Sequence, residues 1–425
     1  MLKVLSVQAA LHAGATTKAL EADALAHAHE VFASVRSGGE ASVRTWAQRV
    51  GDIASTSQQI VFSRRELASA CDRIDPATLA VLQRTKDRIA SFALAQRSAL
   101  QDLCVQLPAG EAGHTVVPVG AAGCYAPGGR APLYSSALMT AATAKAAGVQ
   151  QVVVASPKPS DIMLAAACVA GADSLLALGG ATAIAALAFG AGEVPRCDVV
   201  VGPGNRFVTA AKFVASASVG IDMLAGPSEL LVACDDSADA RLVAADLLAQ
   251  AEHDDDARPL LVSLDASLIA RVQQELASQL LTLPTAKTAR VALHNGFAVC
   301  VKDEQELADV LDALAPEHLE LHLRDAPRFA QRVRNAGAIF LGSATAEALG
   351  DYGLGPNHVL PTGGTARSRA GLSVLTFLRA RTWLHVQGAG DALATSDAIE
   401  LAKLEGLAAH ERSLRVRVDQ GFVLG

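Results

Sequence analysis

The sequence predicts an α/β protein with two parallel-sheet domains, a helical N-terminal region, and a small C-terminal segment that is partly helical and partly extended. Three observations predict it. Beyond about residue 115, short β-branched runs end at glycines and lead into alanine-rich stretches of helical spacing, the alternation of a parallel sheet covered by helices. Gly226-Pro227 interrupts that rhythm where the chain can change sheet, so the alternating part divides into two Rossmann-like groups. Residues from about 17 to 105 are instead rich in Ala, Leu, Arg and Glu at helical spacing and poor in glycine.

In chain order, residues 1–114 are expected to form a helical region packing on the second α/β domain, with Ser63-Arg-Arg-Glu66 as a capping box. The first α/β domain is expected over 115–224, with strands at Gln151–Ala155 and Asp198–Val201 and helices at Ser136–Ala147, Ala181–Phe189 and Val208–Ala217. The second is expected over 225–370. Its strands are Glu229–Ala233, Leu260–Ser263, Phe297–Val301 and Ala338–Leu341, and its helices include Ala238–His253 and Asp325–Arg334. Residues 371–425 close the chain with a helix at Asp391–His410 and a basic, β-branched tail, Leu414–Val418.

Composition narrows the function. The 425 residues are 51% hydrophobic, enough for a large core and more than one domain. A net charge of −7 without a Lys/Arg cluster argues against nucleic acid or anionic lipid and for a small-molecule partner. Seven scattered cysteines without a C-x-x-C pair read as buried hydrophobes in a reducing compartment. No signal-peptide pattern or membrane-length apolar run is present, so a soluble cytoplasmic protein is expected.

The glycine-rich turns Tyr125-Ala-Pro-Gly-Gly129, Gly179-Gly180 and Gly202-Pro-Gly-Asn205 are candidate ligand contacts, because glycine lets backbone N–H groups approach an anion where strands end and helices begin. None matches G-x-G-x-x-G.

Gln250 and His253 are one helical turn apart and can converge on a cation. Residue chemistry favours His253 as a metal ligand and leaves Gln250 open, since glutamine is outside the usual zinc set and a lone histidine is more often hydrogen-bonded in a core. Glu317 and His318 are candidate general bases; as neighbours they share no face of a regular element, and Pro316 predicts a helix start or turn. Asp351 is expected on a loop, and His358 sits among turn residues where packing alone does not account for it. His410 reads equally as an imidazole ligand or a surface residue.

Tyr125-Ala-Pro-Gly-Gly-Arg-Ala-Pro132, Gly202-Pro-Gly-Asn205, Ile221-Asp-Met-Leu-Ala-Gly-Pro-Ser-Glu229, Gln250-Ala-Glu-His253, Ala315-Pro-Glu-His-Leu-Glu320 and the run Gly350–Ala366 resemble histidinol dehydrogenases, in order, over roughly residues 115 to 410. The resemblance implies a zinc-dependent, NAD-linked enzyme that oxidises L-histidinol through L-histidinal to L-histidine. It implies zinc on Gln250, His253, Asp351 and His410, with His410 and Glu405 contributed across a homodimer interface by a C-terminal dimerisation segment. His318 is implied as the base for the alcohol proton and Glu317 as the activator of water. Ser228, His358 and Glu405 are implied to contact substrate beside Gln250, His253, His318, Asp351 and His410, and Tyr125, Thr182 and Asn205 to contact NAD.

Thr182 departs from the family, which usually carries glutamine there. The shorter hydroxyl is expected to lose one hydrogen bond to NAD, about 0.5–1.5 kcal/mol. Two further readings are a paralogous zinc/NAD dehydrogenase acting on another polar alcohol and a zinc-dependent binding protein without catalysis. Keeping Ser228, His358 and Glu405 favours histidinol over the first, and keeping both Glu317 and His318 speaks against the second.

Overall fold

The computed structural model describes residues 1–14, 20–108, 110–128, 132–386 and 391–422. Gly129, Arg130 and Ala131 of the first glycine-rich motif lie outside the described residues. The chain forms two compact units, one of Met1–Ala95 and Val119–Phe377, the other of Gln96–Pro118 and Leu378–Gly425.

The strands in chain order are β1 (Lys3–Leu5), β2 (Val61–Ser63), β3 (Leu103–Leu107), β4 (Gly110–Pro118), β5 (Ala121–Tyr125), β6 (Gln151–Ala155), β7 (Ser174–Leu176), β8 (Val199–Val201), β9 (Gly220–Ile221), β10 (Glu229–Cys234), β11 (Arg258–Ser263), β12 (Phe297–Cys300), β13 (His318–His322), β14 (Ala338–Leu341) and β15 (Leu378–Val386). The first unit contains two six-stranded sheets, β2-β7-β6-β5-β8-β9 and β1-β12-β11-β10-β13-β14. The second sheet is wholly parallel, and the first is parallel except where β2 runs against β7. Central strands such as β5 and β10 are buried along their whole length, which is why they read as continuous apolar runs rather than alternating ones.

The change of sheet falls between β9 and β10, at Gly226-Pro227 as the sequence predicts. The N-terminal helices do not all pack where the sequence places them. Helix Ala22–Arg49 covers the first sheet, fitting Ala24, Ala28, Val31, Phe32 and Trp46 against the alanine-rich helices Gly180–Phe189 and Arg206–Ala215. Alanine on both of those helices lets a third helix approach closely, so the buried stripe has its partner there. Helix Pro76–Ser98 meets the second half of the unit, where Arg88 Nε donates to the Gly353 carbonyl at 2.9 Å. The capping box forms, with the Ser63 N–H donating to Glu66 Oε2 at 2.8 Å.

Three local expectations need correction. The segment after Pro316 is the strand β13, because His-Leu-Glu-Leu-His alternates with period two and pairs with β10 on one side and β14 on the other. Helix Asp325–Arg334 shortens to Ala326–Ala330, capped by Asp325; just beyond it the Arg334 and Asn335 N–H groups turn to the Asp312 carboxylate. Asp351 is the last residue of helix Glu347–Asp351 rather than part of a loop.

In the second unit, β15, β4 and β3 form an antiparallel sheet, so residues 103–118 belong with the C-terminal segment and not with the helical region. Helices Ala392–Leu404 and Ala408–Asp419 follow. Leu414–Val418 is helical, supported by an i,i+4 pair in which Arg415 Nε donates to Glu411 Oε1 at 2.7 Å.

Candidate active site

The C-terminal ends of the first sheet's strands and the N-terminal ends of β10 and β13 border one cavity of about 540 Å³. Asn205, Ser228, His253, Glu317, His318 and Asp351 line it, together with His358. The sequence-predicted residues of the first unit therefore largely converge.

On the first-sheet side, β8 ends in Gly202-Pro-Gly-Asn205, and Asn205 caps helix Arg206–Ala215 by accepting from the N–H groups of Phe207 at 3.0 Å and Val208 at 3.3 Å. Gly202 has φ +117°, and a Cβ there would lie 2.1 Å from the Tyr125 carbonyl oxygen. Gly202→Ala is expected to destabilise the protein by at least about 1–3 kcal/mol, read from the urea midpoint; an unchanged midpoint would contradict this tight approach.

Tyr125 is buried, its hydroxyl accepting from the Gly180 N–H at 3.3 Å. Thr182 is also buried, in helix Gly180–Phe189. Of the three residues that the resemblance assigns to NAD, Asn205 alone is among those bordering the cavity.

On the second-sheet side, His318 opens β13 and its Nδ1 lies 3.1 Å from the Glu229 carbonyl oxygen. A carbonyl only accepts, so Nδ1 carries the proton and Nε2 is left with its lone pair. Nε2 has no hydrogen-bond partner, and burial pushes the ring's pKa down, which keeps it neutral. Glu317 immediately precedes the strand, and its Oε2 accepts from the Glu229 N–H at 2.8 Å. Burial holds the Glu317 carboxyl well above the usual range, with Glu229 and Asp351 adding to the rise. The two neighbours converge because Glu229, on the adjacent strand, grips one with its N–H and the other with its carbonyl.

His358 is fixed in the same way. Its Nδ1 donates to the Asp351 carbonyl at 2.9 Å, and its Nε2 accepts from Ser136 Oγ at 3.2 Å. Ser228 lines the same cavity as Glu317 and acts to lower the Glu317 pKa against the larger effect of burial.

His253 follows helix Ala240–Ala251, its N–H still reaching the Gln250 carbonyl at 3.4 Å. His253 Nε2 is 3.4 Å from Asp351 Oδ2, and Asp351 raises the imidazole's pKa while His253 helps lower that of Asp351. That separation suits two donors on one ion at about 2.0–2.2 Å each. Gln250 is fully buried, yet neither its amide oxygen nor its nitrogen has a hydrogen-bond partner. Such an orphaned pair is costly unless something else meets it. The donor set therefore fits a divalent cation.

Glu347 belongs to this group and was not anticipated. It is buried, its Oε1 has no partner and lies 3.6 Å from His318 Nε2, and its carboxylate can share an ion with His253 and Asp351. The available signal was the i,i+4 spacing of Glu347 and Asp351, which puts two carboxylates on one helix face. Glu405 and His410 lie in the second unit, exposed at the end of one helix and in the first turn of the next.

Comparison with known proteins shows the family. The histidinol dehydrogenase family model matches residues 15–418. The chain belongs to the histidinol dehydrogenase family, and it is an oxidoreductase. The histidinol dehydrogenase of Pseudomonas aeruginosa is 42% identical over 395 residues, covering 92% of this chain and 90% of that protein. That of Thermus thermophilus is 53% identical over 304 residues, 71% of this chain and 74% of its own. The crystal structure of histidinol dehydrogenase from Elizabethkingia anophelis superposes with a TM-score of 0.91 at 28% identity, covering 99% of this chain and 98% of that one. Among the described residues, no helix is long and apolar enough to cross a membrane.

Proposed function

We propose that this histidinol dehydrogenase family member oxidises L-histidinol through L-histidinal to L-histidine, using zinc and NAD. The observation that carries the reading is the tautomer of His318: a buried, neutral imidazole whose free Nε2 borders a cavity containing metal-type donors. Gln250, His253 and Asp351 would hold zinc, with His410 of the partner subunit as the fourth ligand. Zinc would anchor the nitrogens of the amino alcohol and NAD would accept hydride, with Asn205 the cavity residue best placed to meet the cofactor.

The remaining chemistry belongs to the side chains. His318 Nε2 takes the hydroxyl proton as the alcohol becomes an aldehyde and hydride leaves carbon. Glu317, ionised, takes a proton from the water that adds to the aldehyde; a carboxyl held above its ordinary range is a stronger base for that step. A second hydride then leaves to give the carboxylate. Ser228 and His358 border the cavity where a polar substrate can be held, and Glu405 is assigned to the same task from across the dimer.

The test is a substrate panel. NADH is expected from L-histidinol and not from other amino alcohols or hydroxy acids; turnover of another alcohol with silence toward histidinol would move the assignment to a paralogous dehydrogenase.

The dimer is supported by exposed apolar side chains in the second unit, among them Leu384, Leu393, Leu401 and Leu404. If His410 serves the partner's site, protomers carrying His253→Asn and protomers carrying His410→Asn should each be inactive, and a 1:1 refolded mixture should recover about a quarter of wild-type activity. No recovery, from hybrids verified by mass, would remove His410 from a shared site.

A further inference from the structure

The strand that begins with His318 carries a second set of donors. Along β13, Leu319 and Leu321 enter the core on one face of the sheet. His318, Glu320 and His322 stand on the opposite face, in register with Leu230, Val232 and Cys234 of β10, whose side chains pack with helix Ala240–Ala251. That helix presents Asp246 one turn before Gln250. Hence His322 Nε2 lies 3.6 Å from Asp246 Oδ2 and 3.4 Å from Glu320 Oε2. One donor atom from each of the three residues falls within 4.8 Å of the others.

These contacts do not behave as a finished hydrogen-bond network. Glu320 is fully buried and His322 is 1% exposed, yet Glu320 Oε2 and both ring nitrogens of His322 have no hydrogen-bond partner. Glu320 is not free to turn away, because its Oε1 accepts from the Glu347 N–H at 2.6 Å. Its second oxygen is thereby aimed at the gap shared with His322. No Lys or Arg pairs with the three side chains among the described residues; the ion pairs they make are with one another. Donors held at about 2.0–2.2 Å from one tetrahedral ion sit roughly 3.3–3.6 Å apart, close to the separations found. Asp246 retains 16% side-chain exposure, which gives a route in from solvent.

We propose that Asp246, Glu320 and His322 form a second divalent-cation site, distinct from Gln250, His253 and Asp351, that binds a first-row metal of the zinc type and ties helix Ala240–Ala251 to β13. One imidazole and two carboxylates suit such an ion, with water completing the coordination. Through the Glu320–Glu347 bond, the ion would also steady the start of the helix that ends in Asp351.

The proposal stands apart from the catalytic reading, and one experiment separates them. Protein is loaded with zinc, dialysed and analysed for metal per chain, with circular dichroism on every variant. Two equivalents are expected in the wild type, one in Asp246→Asn, one in His322→Gln and one in His253→Asn. A single wild-type equivalent that survives Asp246→Asn and His322→Gln but disappears with His253→Asn overturns the second site and leaves the catalytic metal intact. A single equivalent lost with Asp246→Asn and kept with His253→Asn supports the second site and removes the catalytic one. Two equivalents untouched by either Asp246→Asn or His322→Gln also overturn it. Should one of those two variants fail to fold, the other decides.

Discussion

Glu317→Gln should lower the rate of aldehyde oxidation by about 10²–10⁴-fold while alcohol oxidation falls far less. The substitution is close to isosteric, and the glutamine amide oxygen can still accept from the Glu229 N–H, a bond of 2.8 Å in the structure. What disappears is the capacity to take a proton from water. In the proposed scheme alcohol oxidation draws on His318 Nε2, whose tautomer is set by the Glu229 carbonyl and is untouched by the change. Feeding histidinol and histidinal separately and measuring single-turnover NADH formation distinguishes the two steps. Equal losses in both would assign Glu317 to holding the site's shape and not to water activation.

Much of this arrangement is legible in the sequence, and the reasons differ by element. Strands such as β6 and β14 announce themselves because β-branched runs bounded by turns have few other ways to bury themselves, and both have the expected bounds. β13 is hidden by its chemistry: three polar residues that suggest a turn are spaced at period two, and a proline before them suggests a helix start. The strand forms because β10 and β14 flank it and satisfy its backbone, information that lies far away in the chain. Residues 103–118 fail for the same reason, since β4 is completed by β15, some 270 residues later. In the site, residue type makes Glu317, His318, His253 and Asp351 candidates only, and it is the resemblance of the motifs around them that singles them out. Glu347 carries only the weak signal of its i,i+4 spacing to Asp351, and Glu320 carries none, because a glutamate in a strand is ordinarily solvated and burial alone sets it apart.

Lys212 makes the strongest stability prediction. Its side chain is 2% exposed and forms an ion pair with Asp222, whose side chain is fully buried. Helix Arg206–Ala215 therefore carries a charge into the first core, where a lone charge is costly. Two sets of hydrogen bonds make the burial tolerable: Lys212 Nζ donates to the Gly202 carbonyl at 2.9 Å, and Asp222 accepts from the N–H groups of Gly202 at 2.8 Å and Met223 at 2.7 Å. The pair thus holds both polar groups of Gly202, at the root of the turn that carries Asn205 to the cavity. Lys212→Met should cost about 3–5 kcal/mol in urea denaturation, because it strands the Asp222 carboxylate without a cation. Adding Asp222→Asn should recover part of that loss, since the stranded charge is gone while an amide oxygen remains for a backbone N–H. The same single variant should weaken cofactor binding more than it slows the chemical step, because the turn loses one of its tethers while Glu317 and His318 keep theirs. A cost below about 1 kcal/mol, or a double variant less stable than Lys212→Met alone, would show that the buried pair is not what secures this turn.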